Sequence, residues 1–312
     1  MIWPWLRLVA AVGVLAALAW RWGSEAFLDG LRVVDPWSVA AALAIGLVTT
    51  VLSAWRWCVV ARGLGLPLAL GAAVPAYYRA LLLNAVLPAG VLGDVHRAVR
   101  HGRRSGDVGG GVRAVVFERF AGQVVLVLVA VVVLVARPVA VDLRPGSVIG
   151  AAAALVVGAV VASRVPRVRA ALRRALRDAR SALLTRYALP RVALSSVVAV
   201  AGHVALFVVA ARAAGCTAPL GQVVPLLVLA LLAMAVPVNV GGFGPREAFL
   251  AVAFGSAGLG AAQGVATAVG YGALTLLAAL PGVLVRVPRS ERGEVVGERG
   301  DQARQQVPAL AG

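Results

Sequence analysis

The chain has 312 residues, of which 61% are hydrophobic and only 14% charged, and its mean hydropathy is +0.91. Soluble domains run roughly 45–50% apolar and about 25% charged, so a soluble enzyme, a nucleic-acid-binding domain and a disordered chain are all excluded. The net charge of +17 comes from 30 basic residues, every one an arginine, against 13 acidic ones. These arginines cluster between apolar runs, as they do on the cytoplasmic side of membrane proteins, and no exposed base-reading element accompanies them.

A helix needs about 20 mostly apolar residues to cross a bilayer. Taken in chain order, uninterrupted candidates are residues 6–22, 37–57, 120–136, 147–163, 192–214 and 264–285. The first is expected to be a retained helix rather than a signal peptide, because only Arg7 precedes its apolar run and Trp3 and Trp5 suit an interfacial belt. Two further apolar stretches are broken. Residues 72–92 contain Pro75, Asn84, Pro88 and Gly90, and residues 222–258 contain Pro237, Asn239, Gly241, Gly242, Gly244 and Pro245. Cys58 and Cys216 are too few for a disulfide framework and are expected to be free thiols.

Arginine counts orient these segments. The connection 22–36 carries Arg32 against Glu25, Asp29 and Asp35 and is expected outside. Arg97, Arg100, Arg103, Arg104, Arg113 and Arg119 crowd one later connection, and residues 164–191 form another, both expected in the cytoplasm. If 72–92 crossed fully, the first of these would lie outside while Arg56 and Arg62 lay inside. The conflict disappears if 72–92 dips in and returns, and the same argument makes 222–258 a hairpin entering from outside. The expected fold is therefore an all-α polytopic membrane protein with about six full spans and two re-entrant, Gly/Pro-broken hairpins in an inverted repeat, the ground plan of alternating access. It occupies residues 1–286 in the cell membrane with both termini cytoplasmic, and residues 287–312 are expected to form a charged, disordered cytoplasmic tail.

Non-helical backbone at membrane depth survives only where it is buried in protein or lines a polar cavity, and ionisable groups there usually face that cavity. One polar cluster comprises Tyr77, Tyr78, Arg79, Asn84, Asp94, His96 and Arg97, followed by Glu118 and Arg119; a second comprises Asn239, Arg246 and Glu247. Guanidiniums outnumbering carboxylates suit an anionic guest such as phosphate. The plainer alternative for Arg97 and Arg119 is interfacial anchoring, and for Glu118 a cap or salt bridge near Arg119. Arg246 and Glu247 are neighbours in sequence, and adjacent residues do not face each other on a helix, so each is expected to find another partner, plausibly from the first hairpin. His203 is read as a polar packing residue within its span.

No catalytic motif appears. His96 and His101 are off one helical face and lack cysteine partners, so no zinc site is expected. No lysine exists to end a P-loop, and no cofactor is implied. Residues 164–191 carry Val168, Leu172, Leu176, Ala179, Leu183 and Tyr187 at helical spacing, with arginines elsewhere on the helix. This is a basic amphipathic cytoplasmic connection, expected to lie on anionic headgroups of the inner leaflet, with recruitment of a soluble partner as the alternative.

The run Asn84-Ala85-Val86-Leu87-Pro88, then Gly93-Asp94 and Arg97, with Glu118-Arg119 following, resembles the transmembrane region of lysylphosphatidylglycerol synthases. The later run from Pro237 through Gly241-Gly242-Phe243-Gly244-Pro245-Arg246-Glu247 is similar to that family's second signature. The resemblance implies a flippase-like membrane domain that moves aminoacylated phospholipids between leaflets, and the arginine-rich clusters keep an anionic phospholipid or a polyprenyl-phosphate-linked lipid open as cargo. On it, Arg79, Asn84, Asp94, Arg97, Glu118, Arg119, Asn239, Arg246 and Glu247 become candidate headgroup contacts. Two departures stand out: the tail 287–312 is expected to be too short to hold the soluble aminoacyl-transfer domain, and Leu92-Gly93 replaces the more usual double glycine. Lipid translocation without catalysis is thus the leading expectation. A membrane scaffold for a separately encoded lipid synthase or glycosyltransferase is a second, and an intramembrane enzyme using Asp94 or Glu247 as base is a third.

Overall fold

The computed structural model describes residues 34–87, 90–137, 166–234 and 245–284, and all regular structure among them is helical. Helix α1 spans Pro36–Gly63. It starts sharply because Pro36 presets the first turn and Asp35 caps it, accepting from the backbone N–H of Trp37 at 2.7 Å and of Ser38 at 3.0 Å. Helices α2 (Leu70–Val86) and α3 (Leu92–Arg104) form a broken pair, followed by α4 (Val108–Ala136). The second half begins with α5 (Pro166–Leu183) and α6 (Ala188–Ala213). It continues through α7 (Leu220–Ala233) and α8 (Pro245–Ser256) to α9 (Ala261–Ala279) and a last turn, α10 (Pro281–Leu284).

Four of these stretches are long and apolar enough to cross a membrane: Pro36–Gly63, Val108–Ala136, Ala188–Ala213 and Ala261–Leu284, with mean hydropathies of 1.8, 2.5, 2.3 and 1.6. They coincide with the expected spans 37–57, 120–136, 192–214 and 264–285; the expected spans 6–22 and 147–163, and the tail 287–312, lie outside the described residues. The chain is a multi-pass membrane protein. Helix α4 turns Phe120, Leu128, Val132 and Val135 outward, each more than half exposed, a surface that water would not tolerate at this extent and that hydrocarbon would.

The centre of the molecule is the antiparallel packing of α1 on α6. Arg56, late in α1, donates to the Ser196 hydroxyl, early in α6; Thr49 meets Gly202, and Ala42 clusters with Leu206 and Phe207. Small side chains let these backbones approach, as is usual between membrane helices. A Cβ on Gly202 would stand 2.4 Å from a Thr49 methyl, and one on Gly46 would stand 2.6 Å from Ala278. On either side of this axis lies one apolar core. Trp57, Cys58, Tyr77, Ala98 and Ala114 build the first from α1 to α4, and Phe207, Leu226, Leu250, Phe254 and Leu274 build the second from α6 to α9. Both cysteines are buried free thiols.

The two cores are framed by recurring local structure. Ala61-Arg62, Gly65, Leu70-Gly71 and Pro75 reappear at the same spacing as Ala211-Arg212, Gly215, Leu220-Gly221 and Pro225. In both places the helix ends in the same pair of bonds, Gly65 N–H to Arg62 and Leu66 N–H to Ala61, then Gly215 N–H to Arg212 and Cys216 N–H to Ala211. The left-handed turn falls on Gly65 (φ 76°) and Gly215 (φ 86°), a backbone that glycine adopts without penalty. Further on, Gly111 of α4 packs against the Ala98 carbonyl of α3, as Gly264 of α9 packs against the Leu250 carbonyl of α8, at 2.5 and 2.2 Å from an added Cβ.

Helix α5 departs from the expected lipid-facing stripe. Leu176 is 56% exposed, but Ala175, Ala179, Ala182 and Leu183 pack onto Val59, Val60 and Phe117 of α1 and α4. The end of the helix is pinned to protein because Gly63 leaves no room for a side chain beside Ala182. The outward face keeps the exposed Arg173, Arg174, Arg177 and Arg180.

Candidate functional site

Helices α2 and α3 fold back on each other across the break at Leu87–Val91. Gly93 makes this possible, because a Cβ there would sit 2.1 Å from the Ala80 carbonyl oxygen. The arms are tied by Asn84. Its side-chain oxygen accepts from the Gly93 N–H at 2.7 Å, and its amide donates to Asp94 at 3.0 Å. Val91 offers no side-chain cap of its own, so a residue of α2 caps α3 across the hairpin. Asp94, in the first turn of α3, is also well placed against the positive end of that helix.

From Asp94 an ionic network runs into the interior. Arg97, one turn on, donates Nε to Asp94 at 2.8 Å and Nη2 to Glu118 of α4 at 2.7 Å. Glu118, with no exposed surface, also accepts from Arg56 Nε at 3.0 Å and from the Tyr77 hydroxyl at 3.3 Å. Arg119 reaches the other Asp94 oxygen at 2.8 Å. Arg97 is held flat as well, its guanidinium carbon 4.6 Å from the Trp57 ring centre and 4.5 Å from that of Tyr77. Three guanidiniums thus meet two carboxylates, and the node keeps one positive charge in excess. Buried pairs of this kind cost desolvation, and breaking one by removing a single partner leaves an uncompensated charge.

The second half holds a smaller polar node. Arg246 and Glu247, 4% and 1% exposed, pair with each other through Arg246 Nε at 2.9 Å and through Nη2. The two neighbours therefore do meet, which corrects the expectation that adjacent residues on a helix do not face each other. Both residues lie in the first turn of α8, which begins at Pro245. Arg246 stands over Tyr271 at 5.4 Å and fills the space beside Gly272, where a Cβ would be 2.6 Å from its guanidinium. Tyr271 stacks on Phe207, ring centres 3.6 Å apart, and its hydroxyl lies 3.2 Å from His203 Nδ1, which gives that histidine its packing role between α6 and α9.

Of the sequence-derived candidates, Asn84, Asp94, Arg97, Glu118 and Arg119 are brought into one network, and Arg79 is half-buried on α2 at the wall of an adjoining cavity. Arg246 and Glu247 form their own pair, and Asn239 lies outside the described residues. Sequence reasoning passed over Arg56, Trp57 and Ser196. A signal for Arg56 was present, an arginine inside an otherwise apolar stretch, but it served only as a marker of sidedness. Among the described residues no group of histidine, cysteine or carboxylate side chains is arranged to hold a metal ion.

The family model described as the Lysylphosphatidylglycerol synthase TM region matches residues 5–282. The chain belongs to this family. The match takes in both broken stretches, 72–92 and 222–258, and every candidate residue above, and the family is a membrane domain associated with lipid synthesis or flipping. No curated protein and no solved structure matches the chain significantly.

Proposed function

We propose that this family member moves a lipid headgroup between leaflets, with its two broken helix pairs serving as re-entrant arms of an inverted repeat and no chemical step of its own. The observation that carries the reading is the recurrence, on antiparallel α1 and α6, of the same glycine turn followed by the same Pro-containing half-helix. Inverted halves place equivalent broken helices on opposite sides of the bilayer, which is the geometry of alternating access. A net-positive node at the first break supplies the anion-attracting group. The four described spans would be completed to six by residues 6–22 and 147–163. The lipids in view remain the anionic, aminoacylated and polyprenyl-phosphate classes, whose headgroup would pass between Arg79, Asn84, Asp94, Arg97, Glu118 and Arg119 on one side and Asn239, Arg246 and Glu247 on the other.

The test is headgroup exchange in reconstituted vesicles. The protein should accelerate leaflet exchange of at least one of these lipids over protein-free vesicles, and no acceleration for any of them would overturn the reading. Sidedness provides a companion measurement. Cysteines replacing Ser105, beyond α3, and Ser256, at the end of α8, should react with an impermeant thiol reagent from opposite faces of the cell membrane, Ser256 from outside. Labelling of both from one side would remove the inverted repeat.

A second reading, a scaffold for a separately encoded synthase or glycosyltransferase, draws on the outward arginine face of α5. Stable co-purification with such an enzyme, abolished by replacing Arg173, Arg174, Arg177 and Arg180, would favour it.

A further inference from the structure

At the open end of the first hairpin, between the start of α2 and the end of α3, lies a cavity of about 860 Å³. It sits at the end of α1 that carries α5, since Gly65 lines it and Gly63 packs on Ala182. Among the described residues, Trp57 Nε1, Arg97 Nη1 and His101 Nε2, all buried nitrogens of lining residues, have no hydrogen-bond partner. Their residues are 1%, 2% and 7% exposed. An indole N–H and a guanidinium can only donate, and a buried donor left unmet is a standing cost that a bound acceptor would remove.

The placement of these donors is built, not incidental. Arg97 spends Nε on Asp94 and Nη2 on Glu118, which leaves Nη1 over, and the Trp57 and Tyr77 rings fix its plane. The His101 ring meets Trp57 edge-on at 5.5 Å, so the indole and imidazole hold each other. The wall opposite includes Gly71 and Ala72 in the first turn of α2, whose N-cap Ala69 makes no side-chain cap bond. The Ala72 N–H is already spent on the Ala69 carbonyl at 3.1 Å, so that helix end adds the Gly71 N–H and the positive end of its dipole. Among the described residues no acidic one lines the cavity. The carboxylates bound to the lining residue Arg97, Asp94 and Glu118, are also engaged by Arg119 and Arg56.

We propose that this cavity binds a phosphate group carrying no cationic substituent, with Trp57, Arg97 and His101 donating to its oxygens. A lysylated or otherwise amino-bearing headgroup would bring ammonium groups that ask for a carboxylate, and among the described residues the lining offers arginines, histidines and Ser105 but no carboxylate. The space is of the size that takes a whole small ligand, and Pro67, Leu68 and Pro75 give it an apolar side for whatever the phosphate is attached to. The proposal deepens the lipid-translocation reading by naming the substrate class, and the phosphate can belong to a lipid headgroup or to a soluble ester.

Equilibrium binding separates it from transport. The full-length protein in phosphatidylcholine nanodiscs is titrated with short-chain phosphatidic acid, with short-chain lysylphosphatidylglycerol, and with inorganic phosphate as competitor. Phosphatidic acid should bind at least about tenfold more tightly than the lysylated lipid. Trp57→Phe, which keeps the ring and removes the donor, and His101→Phe should each weaken it about tenfold, the worth of a hydrogen bond to a charged group, with the thermal midpoint of the protein unchanged. Strong competition by inorganic phosphate assigns the cavity to a soluble ester, and weak competition assigns it to a lipid. Equal or tighter binding of the lysylated lipid to the wild-type protein overturns the proposal, as does undiminished binding by both folded variants. Binding without leaflet exchange would leave this inference standing and remove the transport reading. Exchange of lysylated and unmodified phospholipids with equal affinity would do the reverse.

Discussion

The first and second halves use the same backbone devices for different interiors. Counted from the paired glycines Gly111 and Gly264, Tyr271 stands where Glu118 stands; counted from Ala61 and Ala211, Phe207 stands where Trp57 does. In the first half those positions join a buried ionic node that gathers Arg56, Arg97 and Tyr77 around one carboxylate. In the second they form an aromatic stack with His203 at its edge. Repetition of the fold therefore does not entail repetition of the chemistry. The half that accepts the cost of two buried guanidiniums, Arg56 and Arg97, is also the half whose cavity-lining residues carry unsatisfied donors.

The largest way to break this asymmetry is to remove its centre. Glu118→Ala leaves Arg56 and Arg97 without their shared counter-ion and should destabilise the protein by about 3–5 kcal/mol. Tyr271→Phe, at the matching position, removes only the contact to His203 and should cost about 0.5–1.5 kcal/mol. Thermal unfolding of the two variants in one detergent checks the ratio, and equal losses would mean that the ionic node is no more central than the aromatic one.

The next test acts on what the halves share. Gly93→Ala places a methyl on the Ala80 carbonyl and Gly264→Ala one on the Leu250 carbonyl, so each should lose about 1–3 kcal/mol, the usual range for overpacking. Comparable losses are expected; a tolerated Gly93→Ala would mean that the α2–α3 hairpin opens readily. Gly65→Ala and Gly215→Ala meet open space but a left-handed backbone. Each should lower stability by about 1–2 kcal/mol, and a marked difference between them would mean that the two turns are not equivalent.

Much of this was legible in the chain. The four described spans follow from apolar length alone, and Asn84, Asp94, Arg97, Glu118 and Arg119 stood out because charge is rare in such surroundings. The pairing partners were harder to read. Arg56 looked like a sidedness marker, since sequence places it near a span end and only the fold brings α4 and α6 against it. Arg246 and Glu247 were separated by a rule that holds within a helix and relaxes in its first turn. The repeated Ala-Arg, Gly, Leu-Gly and Pro positions are present in the sequence, but small residues and prolines are common in apolar stretches, and only the matching helix ends mark these as a repeat. The docking of half of α5 on α1 depends on the small surface at Gly63, which periodicity does not report.

The smallest expected effect lies at the N-terminal end of α1. The Asp35 carboxyl is held below its ordinary range, first by the Ser38 N–H and then by that of Trp37. The cap's contribution is therefore present above the ordinary aspartate range and is lost as pH falls through the lowered value. Amide exchange at Trp37–Val39 should quicken in Asp35→Ala, and in the wild type on acidification, while exchange in the middle of α1 stays unchanged. Faster exchange along the whole helix would mean that the cap supports more than its first turn.

The central claim, that the polar node and cavity of the first half carry the function while the aromatic node of the second half holds structure, is tested most directly by leaflet exchange of a labelled anionic phospholipid in proteoliposomes. Three proteins are compared at equal reconstituted amounts. The wild type should accelerate exchange over empty vesicles, Trp57→Phe should slow that rate about tenfold for the loss of one hydrogen bond to a charged group, and Tyr271→Phe should stay close to the wild type. A wild-type rate equal to that of empty vesicles, or a Tyr271→Phe loss exceeding that of Trp57→Phe, would contradict the account.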